Sequence, residues 1–130
     1  MENIEQAIRD HLIDGQLPCA AAFAIAEAEG ISPLEVGERA DRLEIHLARC
    51  QLGLFGYGPR AEGRHRRIQP MQEIPEELAA AIRSSLDEDG KLACADTWRI
   101  AEQLGIAKQT VADATEGLDL RIVRCQIGAF

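Results

Sequence analysis

Residues 14–55 align with residues 89–130 at a constant offset of 75, without a gap. The stretch DGQLPCAAAFAIAEAEGISPLEVGERADRLEIHLARCQLGLF lies over DGKLACADTWRIAEQLGIAKQTVADATEGLDLRIVRCQIGAF, with 17 identities in 42 pairs. Many other pairs exchange like for like, as Phe23 with Trp98, Leu47 with Ile122 and Leu52 with Ile127. An internal repeat restricts the architecture more than any composition does, because each copy must be one structural unit. A feature present in both copies serves the unit, and a feature present in one marks divergence. The repeat predicts two small domains, 1–69 and 70–130, each near the lower size limit for independent folding.

Aromatic residues are few (three Phe, one Trp, one Tyr), so the core must come from Leu, Ile, Val and Ala. No apolar run reaches the length of a membrane span. The acidic, amphipathic start MENIEQAIRDHLIDG does not read as a signal peptide, which leads to an expected cytoplasmic location. Net charge is −8. Residues 1–74 hold 12 acids against 8 Lys/Arg, and residues 75–130 hold 10 against 6, so each half carries −4. That sign opposes general binding to a phosphate backbone. Locally the sign reverses: Arg60, Arg64, Arg66 and Arg67, with His65, face one acid, Glu62, within eight residues.

Apolar spacing places a first helix over about 2–13, with Ile4, Ala7, Ile8 and Leu12 on one face. Its counterpart opens at Pro75 and presents Leu78, Ile82 and Leu86. Asp14-Gly15 and Asp89-Gly90 stop these helices, and short extended pieces follow at 16–17 and 91–92. Second helices are expected over 18–29 and 93–104, each closed by a glycine, Gly30 or Gly105. The third helix of copy one starts at Ser32-Pro33-Leu34-Glu35, a capping box with proline in the first turn. It runs to about Leu43, and its counterpart to about Leu118. The segments IHLARCQLGLF and LRIVRCQIGAF alternate. Ala48, Cys50, Leu52 and Leu54, or Val123, Cys125, Ile127 and Ala129, lie on one side, with Arg49 and Gln51, or Arg124 and Gln126, on the other. The pattern predicts two long, half-buried strands.

The turn between second and third helices carries Ala26, Gly30 and Val36, and again Ala101, Gly105 and Val111. A small residue lets two helices approach, glycine makes the turn, and an aliphatic plugs the crossing. In this the chain resembles the winged helix-turn-helix domains of transcription regulators. Copy two matches well. Copy one departs, with Glu29 where Leu104 stands and Gly37 weakening its third helix. The resemblance implies an α+β, mainly helical protein of two tandem winged-helix-like units with short β-strands. It implies a regulatory nucleic-acid-binding function in which Lys108, Gln109 and Thr110 of the copy-two third helix enter a groove of duplex DNA. Arg60, Arg64, Arg66 and Arg67, at the place of a wing, would hold phosphate; the same stretch also reads as a charged linker joining two acidic domains. The wing's second strand would come from about residues 64–69. Copy two stops at Phe130, so the edge near 120–129 is expected to be covered by the copy-one hairpin or by a second chain in a homodimer.

Two other readings compete. An acidic protein-interaction adaptor would use winged-helix surfaces to dock a basic protein. In the copy-one third helix Glu35, Glu38 and Asp41 repel phosphate, and that face reads as a solvated helix surface. Cys19, Cys50, Cys94 and Cys125 recur with the repeat and allow a metal or redox sensor. Close ligand pairs are absent, however, and buried core thiols explain them simply, Cys50 and Cys125 above all. The Arg-Cys-Gln-(Leu/Ile)-Gly string in both copies suggests a shared structural duty, such as binding the acidic third helix or the other copy. No nucleophile–base set, phosphate-cradling loop or paired carboxylates appear. The chain therefore reads as a non-enzyme without metal or cofactor.

Overall fold

The computed structural model describes residues 2–57 and 66–129. The protein is α+β and mainly helical; among the described residues there are six helices and four strands of two residues. Two compact units divide the chain. One comprises the residues through Arg66 together with Gln126–Ala129; the other holds Arg67–Cys125.

In the first unit, α1 (Glu2–Asp10) buries Ile4 and Ile8, one helical turn apart. It ends earlier than its apolar stripe suggests, because the His11 ring nitrogen lies 2.6 Å from the Ala7 carbonyl oxygen. Asp14 (φ 53°) and Gly15 (φ 76°) then make a two-residue reversal, closed by mutual Ile13 and Gln16 backbone bonds of 2.8 and 3.0 Å. Two consecutive left-handed residues are what such a turn demands. β1 (Leu17–Pro18) leads into α2 (Cys19–Glu29), whose alanines bring neighbours close. Gly30, at φ 68°, ends α2, and the Ile31 N–H donates back to the Ala26 carbonyl over 3.1 Å. α3 (Pro33–Arg42) starts from Ser32, whose hydroxyl accepts the Glu35 N–H at 3.1 Å. β2 (Leu47–Ala48) pairs parallel with β1, Leu17 opposite Leu47.

The second unit contains α4 (Glu76–Ser84), β3 (Leu92–Ala93), α5 (Cys94–Leu104), α6 (Lys108–Gly117) and β4 (Ile122–Val123). Apart from α4, every element lies 75 residues after its counterpart, and β3 pairs parallel with β4 as β1 does with β2. Its core gathers Leu78, Ile82, Leu92, Ile100, Ala101, Val111 and Ala114. Thr97 and Thr115 are wholly buried where copy one has Ala22 and Ala40. Their hydroxyls donate to the Cys94 and Val111 carbonyls at 2.6 and 2.7 Å, so neither buried oxygen lacks a partner. The triplets Ala26/Gly30/Val36 and Ala101/Gly105/Val111 sit at the two helical turns: the alanines and valines are buried, and both glycines are left-handed.

The long strands are corrected. Extended pairing stops at Ala48 and Val123, because Arg49 (φ 48°) and Arg124 (φ 51°) adopt the left-handed conformation, incompatible with a strand. After Arg49 the backbone doubles back. The Cys50 N–H donates to Phe55, the Gly53 N–H to Cys50, and the Arg49 N–H to Gly56, over 3.2, 2.9 and 3.3 Å. The alternation of Cys50 and Leu52 thus reflects a folded turn. A second wing strand over 64–69 is also absent where it can be seen, since residues 66–69 are irregular and 64–65 fall outside the described residues. With β4 only two residues long, the extended open edge at 120–129 that motivated a dimer does not exist. Cys125 is half-buried rather than buried. Cys50 is buried as expected.

Gly37 has a physical reason that the sequence reading missed. A Cβ there would fall on the carbonyl oxygen of Ile127, which is 1% exposed and belongs to the same unit. Glycine inside a helix costs about 1 kcal/mol relative to alanine. Here that cost permits a backbone to touch the helix.

Candidate functional site

The third helix of the second unit is where the resemblance places base contacts. None of its residues from Lys108 to Glu116 is exposed. The Lys108 ammonium lies 3.9 Å from the centre of the Trp98 ring, a cation–π contact that draws it toward its own unit. The Gln109 side-chain amide donates to the Arg67 carbonyl at 3.1 Å. Thr110 is half-buried.

What covers this helix is the chain that precedes α4. Residues 67–71 run along α6 in the same direction as the helix. Arg67 meets Gln109 near its start. The Gln69 N–H donates to the Asp113 carboxylate at 2.9 Å. The Met71 N–H donates to the Asp113 carbonyl at 3.0 Å. At the helix end a Cβ on Gly117 would collide with the Met71 carbonyl oxygen, so glycine is what lets the segment settle. Sequence reasoning singled out Gln109 for DNA and passed over Gln69, Met71 and Gly117. The signal available was the glycine inside a helical pattern, which marks close approach of another backbone.

Arg66 and Arg67 are exposed, whereas Arg60 and Arg64 lie outside the described residues. The outward side of α3 carries Leu34, Glu38, Asp41 and Arg42. Leu34, at 48%, is one of two large apolar side chains that stand exposed among the described residues. Glu35 is not part of that side but pairs with Arg39 at 3.1 Å along the helix.

The repeated Arg-Cys-Gln string has distinct contacts. Arg124 does not reach a third helix; it pairs with Asp87 at 3.0 Å. Gln51 donates its amide to the Cys19 thiol at 3.6 Å. Cys19, Cys50 and Cys94 are buried, and none of the four cysteines forms a disulfide. No group of three or more His, Cys, Asp or Glu among the described residues is arranged to hold a metal ion.

Asp87 organises the turn before β3. One carboxylate oxygen accepts the Asp89 and Lys91 N–H groups, both at 2.9 Å, while the other meets Arg124. The Lys91 N–H is the main reason that its carboxyl titrates below the ordinary 3.8; burial opposes it, and the Asp89 N–H and the Arg124 and Lys91 charges add to the lowering. A depressed carboxyl stabilises the fold above its unfolded value, and the contribution disappears as pH falls through the folded value. Asp87→Asn should therefore flatten the loss of stability below about pH 4. Urea midpoints measured from pH 6 to pH 2 check this; an unchanged acid limb would show that Asp87 does not matter.

No helix among the described residues is long and apolar enough to cross a membrane. No family model, curated protein or solved structure matches this chain.

Proposed function

We propose that the protein is an acidic interaction adaptor that docks a basic protein partner through α3. One observation carries the reading. No α6 residue from 108 to 116 is exposed, whereas α3, although the 127–128 backbone reaches it at Gly37 and beside Leu34, keeps Leu34, Glu38 and Asp41 exposed. An apolar anchor rimmed by carboxylates, in a chain of net charge −8, is complementary to a basic segment carrying one apolar residue. Such electrostatic complementarity speeds encounter and weakens with salt.

The nucleic-acid reading keeps one supporting observation, the exposed Arg66 and Arg67 at the end of the basic stretch. Direct competition separates the two. A fluorescent arginine-rich peptide with a central leucine and a mixed-sequence DNA duplex are each titrated with the full chain at low salt. The peptide is expected to bind, and Glu38→Lys with Asp41→Lys should weaken it about tenfold or more. A duplex that binds tighter than the peptide, with a steep salt slope lost in Arg66→Ala/Arg67→Ala, would replace this proposal with the DNA reading.

A further inference from the structure

We infer that the edge of α6 formed by Gln109, Asp113 and Gly117 is a second docking groove, made for an extended, arginine-bearing segment of a partner protein. In the free chain it is closed by residues 67–71. The inference takes the partner's charge from the adaptor reading; the groove itself rests on separate geometry.

Consider what holds the covering segment. Gln109 binds a carbonyl at residue 67, and Asp113 binds N–H groups at residues 69 and 71. These groups alternate by two, as in any extended chain. Residue 70 is proline, which has no N–H to offer, and none is needed on that side. The helix therefore recognises backbone. Gly117 supplies the clearance for the last carbonyl. This is peptide recognition by main-chain hydrogen bonds, with selectivity left to flanking side chains.

The cover is lightly held. Arg67, Gln69 and Pro70 are exposed, and only Ile68 and Met71 are half-buried. Met71 packs against the core of the unit and anchors one end, so residues 67–70 are the part at the easily opened end of local stability. The Asp113 carboxylate makes the groove acidic, and its present occupant continues a basic run that ends in Arg66-Arg67. A competing chain with arginine at the matching position, an extended backbone and an aliphatic side chain meets the same demands.

Gln69→Pro provides the test, since it removes one N–H donor to Asp113 from an exposed, irregular position. The probe is a fluorescent peptide of sequence RRIQPMQ, the chain's own residues 66–72. Binding to the full chain carrying Gln69→Pro is expected to be about tenfold tighter than to the unaltered chain, the worth of one charge-assisted hydrogen bond. Hydrogen exchange at the residue 71 amide should accelerate in parallel. Adding Gln109→Ala, or Gly117→Val to fill the groove, should abolish the gain; circular dichroism confirms that each variant is folded. Equal affinity for both chains while exchange shows the cover opened would overturn the groove, as would binding indifferent to Gln109 and Gly117. A cover that stays closed in Gln69→Pro would also overturn it, because the Asp113 contact would then not be what holds it. The leucine-bearing arginine peptide run alongside distinguishes the two proposals. If it still responds to Glu38→Lys, the adaptor reading survives a failed groove; if neither peptide binds, both fall.

Discussion

Gly37→Ala lowers stability by about 2–3 kcal/mol, read as a fall in the urea midpoint with an unchanged slope. Two effects of opposite sign compete at this position. Alanine is the better helix former by about 1 kcal/mol, and on propensity alone the substitution would stabilise α3. Against this, the added Cβ lands on the Ile127 carbonyl oxygen, a backbone atom that cannot rotate away. Backbone overlap forces Ile127 off the helix and uncovers a side chain that is 1% exposed. Ile127→Ala alone removes the same burial and should cost about 2–5 kcal/mol. The two substitutions are not additive, because displacing Ile127 has already taken most of what its truncation removes. A midpoint that rises on Gly37→Ala would mean that residues 126–129 do not lie against α3.

The second large effect is expected at the helix crossing of the other unit. Ala101 is 4% exposed and belongs to the cluster formed with Ile100, Val111 and Ala114. Ala101→Leu should cost about 3 kcal/mol, the upper range for overpacking, because the α5–α6 approach has no room for three further carbons. Ala101→Ser, nearly the same size, serves as the control and should cost much less. Calorimetry of both variants checks the order. An Ala101→Leu protein that melts like the unaltered one would put the helices further apart than their glycine-closed turn implies.

Helices, their glycine stops and the core faces were legible from the residues, because each rests on local chemistry. Gly30 and Gly105 need left-handed backbone, Ser32 needs an N–H to cap, and Ile4 with Ile8 needs one side of a helix. Two things were not legible. The alternation around Cys50 and Leu52 has the period of a strand, but burying alternate residues also suits a reversal, and only the backbone angle at Arg49 decides between them. Residues 67–71 have no periodicity, and their role depends on partners, Gln109 and Asp113, some forty residues away. Lys108, Gln109 and Thr110 showed the residue types of a groove reader while giving no sign of what would lie over them. Gly37 and Gly117 were the visible traces of both segments laid on the third helices; the first read as a weakness and the second was passed over.

The grouping of Gln126–Ala129 with the first unit bears on how the protein is made. Ninety residues separate Gly37 from Ile127, and the whole second unit is synthesised between them. A nascent chain that has reached Cys125 contains every helix of the first unit but not the piece that seals its third. During translation the N-terminal copy must therefore wait, with the Gly37 face of α3 open, until residues 126–129 emerge. The copy that begins first is sealed only after the second has been made, and a ribosome that stalls before residue 126 would leave the first unit exposed to proteases and chaperones.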